Sequence, residues 1–332
     1  MKEIYIFESA QSLHYRDKKL IVQNKEGKKA YEVAVSQVKR VNIFGNPTIT
    51  TQLLKALALN KKEVHYYSQN GKYLMSMNLH YAENYSRQQE QILALLDDSF
   101  SLALSKRLIQ SKIKLQAELL KAYDEDGLLT EKDYVKLNNY YQEVEKVASL
   151  ESILGYEGRS AKTYFYYLGL LVPTPFKFSR RSKRPPKDPF NALLSFGYSI
   201  LYSYIIGAII KSGLNPGFSA LHQTRKNHAT LASDLMEEWR PVLVDDVVMQ
   251  LLISEKLTTD DFIKKPTGEV YLSADARRLF VQAFRERMLE KHFYFGKDRY
   301  RFVFLNSVDQ QIDSLKKAFK YQDPLMYQTI GG

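Results

Sequence analysis

The chain has 332 residues, too many for one small core and enough for one large or two ordinary domains. It contains no cysteine, which excludes disulfides, cysteine-ligated zinc and a catalytic thiol, and fits a reducing, cytoplasmic setting. The formal net charge of +11 favours a polyanionic partner bound through its phosphates, against the plainer reading of a basic protein kept in solution.

The first residues, Met-Lys-Glu-Ile-Tyr-Ile-Phe, carry charge within an apolar stretch and lack signal-peptide architecture. Short runs rich in β-branched and aromatic residues predict strands at Glu3–Phe7, Leu13–Arg16, Leu20–Gln23, Tyr31–Val35 and Val38–Phe44, separated by turn or charge clusters. Gly45-Asn46-Pro47 is a breaker, and Leu53, Leu54 and Leu57 set one apolar helical face within 49–60. Val64–Tyr67 and Tyr73–Met77 flank Gln69-Asn70-Gly71, a hairpin signal. A small β-rich domain is expected over residues 1–82.

From Glu83 to about Tyr123 the pattern is long, charged and helical. Thr130-Glu131-Lys132-Asp133 opens another helix running to about Ala148. Helices dominate the rest, so residues 83–332 are read as an all-α domain and the whole chain as α+β. Residues 171–190 interrupt the helices. Pro173, Pro175, Pro185, Pro186 and Pro189 break any helix, and Lys177, Arg180, Arg181, Lys183, Arg184 and Lys187 make a basic, flexible loop. Ala192 to Ile210 is free of charge and about the minimum length for a membrane span. Its serines and glycines, and the lack of a second candidate, favour the buried central helix of a helical domain.

Three stretches carry candidate chemistry. In Gly155-Tyr156-Glu157-Gly158-Arg159 a carboxylate is bracketed by glycines, each costing about 1 kcal/mol in a helix relative to alanine. Close approach of a backbone or a phosphate would explain them; a helix end with a solvated glutamate would also. In Gly213-Leu214-Asn215-Pro216-Gly217, a helix ends at glycine and a proline-containing turn leads to His222. In Ser233-Asp234-Leu235-Met236-Glu237-Glu238-Trp239-Arg240, residues Asp234, Glu237 and Arg240 share a helix face. Asp234 either supports a ligand or caps the helix. Two glutamates and one imidazole form a hard donor set suited to Mg²⁺ or Mn²⁺ rather than to a structural zinc.

Taken together, these stretches resemble the CRISPR adaptation integrase, the first of the CRISPR-associated protein families. Val41-Asn42-Ile43-Phe44-Gly45-Asn46 leading into Thr48-Ile49-Thr50-Thr51 is similar to its strand-to-helix junction. Glu157-Gly158-Arg159, Arg184-Pro185-Pro186-Lys187-Asp188-Pro189-Phe190-Asn191, the turn before His222 and Asp234-Leu235-Met236-Glu237-Glu238 follow in the family's order. Ser219-Ala220 and Trp239 depart from its pattern without touching a candidate ligand.

The resemblance implies a homodimer assembled with a small ferredoxin-like second subunit. The assembly inserts short foreign duplex DNA into a CRISPR repeat array by 3′-hydroxyl attack, with DNA cutting as the water-dependent form of the same chemistry. It implies Glu157, His222 and Glu237 as ligands of Mg²⁺ or Mn²⁺, with Asp234 open between support and cap. Arg159, Arg180, Arg181, Lys183, Arg184, Arg225 and Arg240 are candidate DNA contacts, and His228 a further one. The β-rich domain is expected to serve dimerisation and partner contact. Glu157→Ala is expected to abolish integration in Mn²⁺ while leaving stability within about 1 kcal/mol or improving it, as for a carboxylate cluster without its metal. The rival readings are a non-catalytic, basic DNA-binding scaffold and a peripheral or single-span membrane protein.

Overall fold

The computed structural model describes residues 2–7, 11–77, 84–223, 228–295 and 302–331. The chain divides into two compact units, Met1–Ala82 and Glu83–Gly332.

In the first unit β1 (Lys2–Ile6), β2 (Ser12–Arg16), β3 (Lys19–Gln23), β4 (Lys29–Ala34), β5 (Val38–Phe44) and β6 (Thr48–Ile49) precede α1 (Thr51–Leu59), β7 (Glu63–Tyr67) and β8 (Tyr73–Met77). One sheet has the order β1-β5-β7-β8, parallel across its first three strands and antiparallel at β8; the other is β4-β3-β2-β6. Alternation along the strands buries Leu13, Leu20, Val22, Val41, Ile43 and Val64 in a common core, to which α1 adds Leu53 and Leu57. Asp17 and Lys18, at φ 51° and 59°, make the tight β2–β3 turn whose twist suits paired strands. The strands match the sequence expectation apart from the short β6, whose two residues carry too little pattern to read.

The second unit is mostly helical. The single long helix expected from Glu83 to Tyr123 is two, α2 (Tyr85–Leu95) and α3 (Asp98–Tyr123). Asp97 accepts the N–H groups of Ser99 and Phe100 and so starts α3 afresh. The apolar residues on either side of Asp97 keep their spacing across the break, which conceals it in the sequence. Next come α4 (Glu131–Lys146), α5 (Leu150–Leu171), α6 (Pro189–Ser212) and α7 (Thr230–Trp239). A wide π-helical turn, Arg240–Asp245, joins α7 to α8 (Asp246–Ile253). A hairpin of β9 (Phe262–Lys264) and β10 (Val270–Leu272) separates α8 from α9 (Ala274–Leu289) and α10 (Phe304–Tyr321).

Helix α6, charge-free over 192–210, is the core helix of this unit and is mostly buried, as its composition predicts. Gly197 lets Val244 and Phe280 press against its backbone; a Cβ there would lie 2.5 and 2.7 Å from their side chains. Gly213, at φ 83°, closes the helix in the left-handed conformation and aims the chain into the turn before His222.

Candidate active site

The site is assembled from α3, α5, α7 and the segment before α7. Glu157 lies in the middle of α5, so Gly155 and Gly158 are interior helix positions and not a helix end. Among the described residues a Cβ on either would meet no atom within 4 Å, so no described backbone explains them. Glu237 is buried on α7. The two carboxylates share one ammonium group, that of Lys112 from α3, which is itself 4% exposed. Lys112 pairs with Glu157 Oε1 and lies 2.7 Å from Glu237 Oε2. The second contact is a close ion pair, so one buried ammonium serves both carboxylates. Arg240 Nη2 approaches the other oxygen, Oε1, to 3.1 Å. Burial pushes the Glu237 carboxyl up, but Arg240 and Lys112 outweigh it and hold it at about 2.

His222 is fixed by Asp234. Its Nδ1 lies 2.6 Å from Asp234 Oδ1, leaving Nε2 without a hydrogen bond among the described residues. Asp234 is not a helix cap. Its 1%-exposed carboxylate also accepts the backbone N–H groups of Ala220, Leu221 and His222, while Ala229 holds the N-cap position of α7. The hydrogen bond to Asp234 raises the His222 pKa above the usual histidine value, against the effect of burial. His222 lies close enough to Glu237 for their charges to interact.

Among the described residues no three His, Asp or Glu side chains converge as they stand on a point that would hold an ion. The Lys112 ammonium pairs with both carboxylates at once. The donor chemistry nevertheless fits Mg²⁺ or Mn²⁺: two carboxylates already share a cation, one of them is buried, and an oriented imidazole stands nearby. Lys112 bears on the expected stability of Glu157→Ala: with a buried ammonium shared by the carboxylates, the substitution removes one of its two partners and should be destabilising.

The basic loop is less free than its composition suggests. Ser182 N donates to Asn191 Oδ1 and Asn191 Nδ2 donates to Arg180 O, Pro186 O accepts Val270 N from the hairpin, and the Arg181 guanidinium turns inward. Arg181 donates to Asn191 Oδ1 at 2.7 Å and to Ser195 Oγ at 3.2 Å, and lies over the rings of Tyr198 and Phe165. It ties the loop to α6. Arg180, Lys183 and Arg184 are exposed. Lys183 is held below the usual lysine range by its partly desolvated position and by the nearby Arg240 and Arg181 charges. Arg240 packs over Tyr198, 4.5 Å from the ring centroid. Arg159 is exposed and lies over Tyr156. His228 is engaged at both ring nitrogens, with Tyr202 and Ser233, and stacks on Tyr202. Arg225 lies outside the described residues.

Sequence reasoning missed two residues that shape the site. Lys112 sits within the apolar stripe of α3 marked by Leu108, Ile109 and Leu115, and a charge in such a stripe is a readable signal. Gln91, fully buried on α2, donates to the carbonyls of Asn215 and Phe218 and accepts Asn215 N, fixing the turn before His222.

The fold and the cluster define a class: a β-rich unit followed by a helical unit that holds two glutamates, a histidine and an aspartate among basic side chains. The sequence profile described as CRISPR associated protein Cas1 matches residues 4–286, and the chain belongs to this family. It is 33% identical over 326 residues to the CRISPR-associated endonuclease Cas1 of Mycobacterium tuberculosis, covering 98% of this chain and 96% of the relative. A Thermus thermophilus relative of the same description is 32% identical over 289 residues, 87% of this chain and 85% of the relative. Among solved structures, a casposase bound to integration product shares the fold with a TM-score of 0.85 at 22% identity, over 97% of this chain and 91% of that one. A chain of a Cas6-RT-Cas1–Cas2 complex matches at a TM-score of 0.83 and 28% identity over 99% of this chain, which spans 36% of that longer chain.

Proposed function

We propose that the protein is a metal-dependent DNA integrase of CRISPR adaptation, joining the 3′ hydroxyls of a short foreign duplex to phosphodiesters of a CRISPR repeat array. The carrying observation is that Glu157 and Glu237 share one cation while Asp234 orients His222 beside Glu237. The names of the relatives, endonuclease and Cas1, support the reading. So does the 28% identical chain from a complex that includes Cas2. The proposed assembly is a homodimer with a small ferredoxin-like second subunit, the β-rich unit serving dimerisation and partner contact.

Glu157, Glu237 and His222 Nε2 would hold Mg²⁺ or Mn²⁺. When bound, the ion polarises a phosphodiester oxygen and stabilises the leaving oxygen. Asp234 keeps the imidazole turned with Nδ1 inward and Nε2 outward. Arg240 and Lys183 place positive charge where a phosphate would lie, and the exposed Arg180 and Arg184 follow the DNA backbone. Joining uses a DNA 3′ hydroxyl as nucleophile and cutting uses water, so the chain needs no covalent nucleophile of its own.

The test is strand transfer of a labelled duplex into a repeat-bearing plasmid with the second subunit and Mn²⁺. Glu157→Ala, His222→Ala and Glu237→Ala should each abolish product while duplex binding persists. Full strand transfer by any of them would overturn the assignment. A wild type that binds DNA without metal-dependent product would point to a scaffold.

A further inference from the structure

Lys112 takes up the space between Glu157 and Glu237. Its ammonium contacts one oxygen of each carboxylate from within the protein, which is where an ion must sit to touch both. The other cation on Glu237 is held differently. The Arg240 guanidinium is planar, packs over the Tyr198 ring and pairs with Oε1, leaving Oε2 to Lys112 alone. A lysine is a point charge on a flexible four-carbon stem, so of the two cations it can swing away while Arg240 stays.

We propose that Lys112 is a built-in counter-ion that competes with the divalent cation for Glu157 and Glu237. With no metal bound it keeps two inward-facing carboxylates from repelling each other and holds them near one point. Entry of the metal displaces the ammonium from between them, so the affinity of the site is set by the difference between two cations. The inference rests on the metal site proposed above, and makes Lys112 a positioning residue that tunes metal loading without contacting DNA.

Binding of Mn²⁺ alone to the full-length protein, followed by calorimetry and by the loss of the free-ion electron paramagnetic resonance signal, tests this. Lys112→Met should bind Mn²⁺ roughly tenfold tighter or more, because a unit positive charge has left the site. It should also melt lower than wild type without metal and gain more from added Mn²⁺. Lys112→Arg, which keeps the charge, should bind no tighter than wild type. Lys112→Gln gives a second neutral variant if the methionine variant does not fold. Glu237→Gln should remove the binding and so locate it. Equal or weaker Mn²⁺ binding by the neutral variants, with wild-type binding intact, overturns the counter-ion role alone. No Mn²⁺ binding that depends on Glu237, in wild type or variant, overturns the metal site itself.

Discussion

Asp234 Oδ1 lies 2.6 Å from His222 Nδ1, and the same carboxylate gathers three consecutive backbone N–H groups, those of Ala220, Leu221 and His222. One buried side chain thus sets both the ring and the path of the chain beneath it. Asp234→Ala leaves those N–H groups without an acceptor in a dry site, and should cost about 2–4 kcal/mol. Asp234→Asn keeps an acceptor oxygen and should cost less, while still weakening metal binding by roughly 10–100-fold through the misdirected imidazole. Chemical denaturation and Mn²⁺ titration of the two variants separate these effects. Unaltered metal binding in both would remove Asp234 from the site.

Gln91 does the same work one turn earlier. Its amide satisfies the Asn215 and Phe218 carbonyls and the Asn215 N–H from a position with no solvent access. Gln91→Leu fills much the same volume without the hydrogen bonds, and should lower stability by about 1–3 kcal/mol. It should also reduce strand transfer, because the turn it holds aims His222. Hydrogen exchange at Asn215 is the direct readout and should accelerate; unchanged protection there would count against the bracing role.

How far these features were legible varies with the range of the interaction. The Val38–Phe44 strand and α6, charge-free over 192–210, could be read because their partners impose a local pattern of apolar residues. Glu157, His222 and Glu237 could be singled out only through the ordered set of motifs that resembles the family, since each stretch alone has a plainer reading. What could not be read is what meets them. Lys112 comes from α3, a helix whose charges are otherwise mostly solvated, and only the fold brings it between carboxylates from α5 and α7. Arg181 looked like its loop neighbours, yet Asn191 and Ser195 turn it inward. The break at Asp97 was hidden because a capping aspartate does not disturb the apolar period around it.

The first unit should be acid-sensitive for a definable reason. His65 is fully buried on β7, with Nε2 3.0 Å from Glu63 Oε2 and Arg40 paired to the same carboxylate. Burial, together with the Arg40 charge, lowers the His65 pKa to about 4 against an ordinary 6.5. Because the folded value is the lower one, neutral His65 contributes stability above about pH 6.5 that is lost as pH falls toward 4. The shift corresponds to about 3 kcal/mol. Urea denaturation at pH 7.5 and 4.5, followed by a probe in the first unit, should show wild type losing more stability than His65→Gln. Parallel losses would exclude His65 as the sensor.

The neighbour of a candidate ligand secures the other end of the chain. Glu238 is fully buried and accepts Ile330 N at 2.9 Å, Gln311 Nε2 at 2.9 Å and the Tyr327 hydroxyl. Gln311 in turn accepts Trp239 Nε1, and Ser111 donates to Ile330 O. Burial pushes Glu238 up to about 7 despite these donors. Residues Tyr327–Ile330 are therefore fastened to α7 next to Glu237, by a segment beyond the 4–286 span of the family match. Glu238→Ala leaves several buried donors unpaired and should cost about 2–5 kcal/mol. Faster hydrogen exchange at Ile330 should accompany that loss, with reduced strand transfer because α7 has lost a brace. Glu237→Gln, which keeps the side-chain volume, should speed exchange at Ile330 less than Glu238→Ala does while abolishing product. If both variants release Ile330 to the same degree, α7 responds as one body and Glu238 is not a separate anchor.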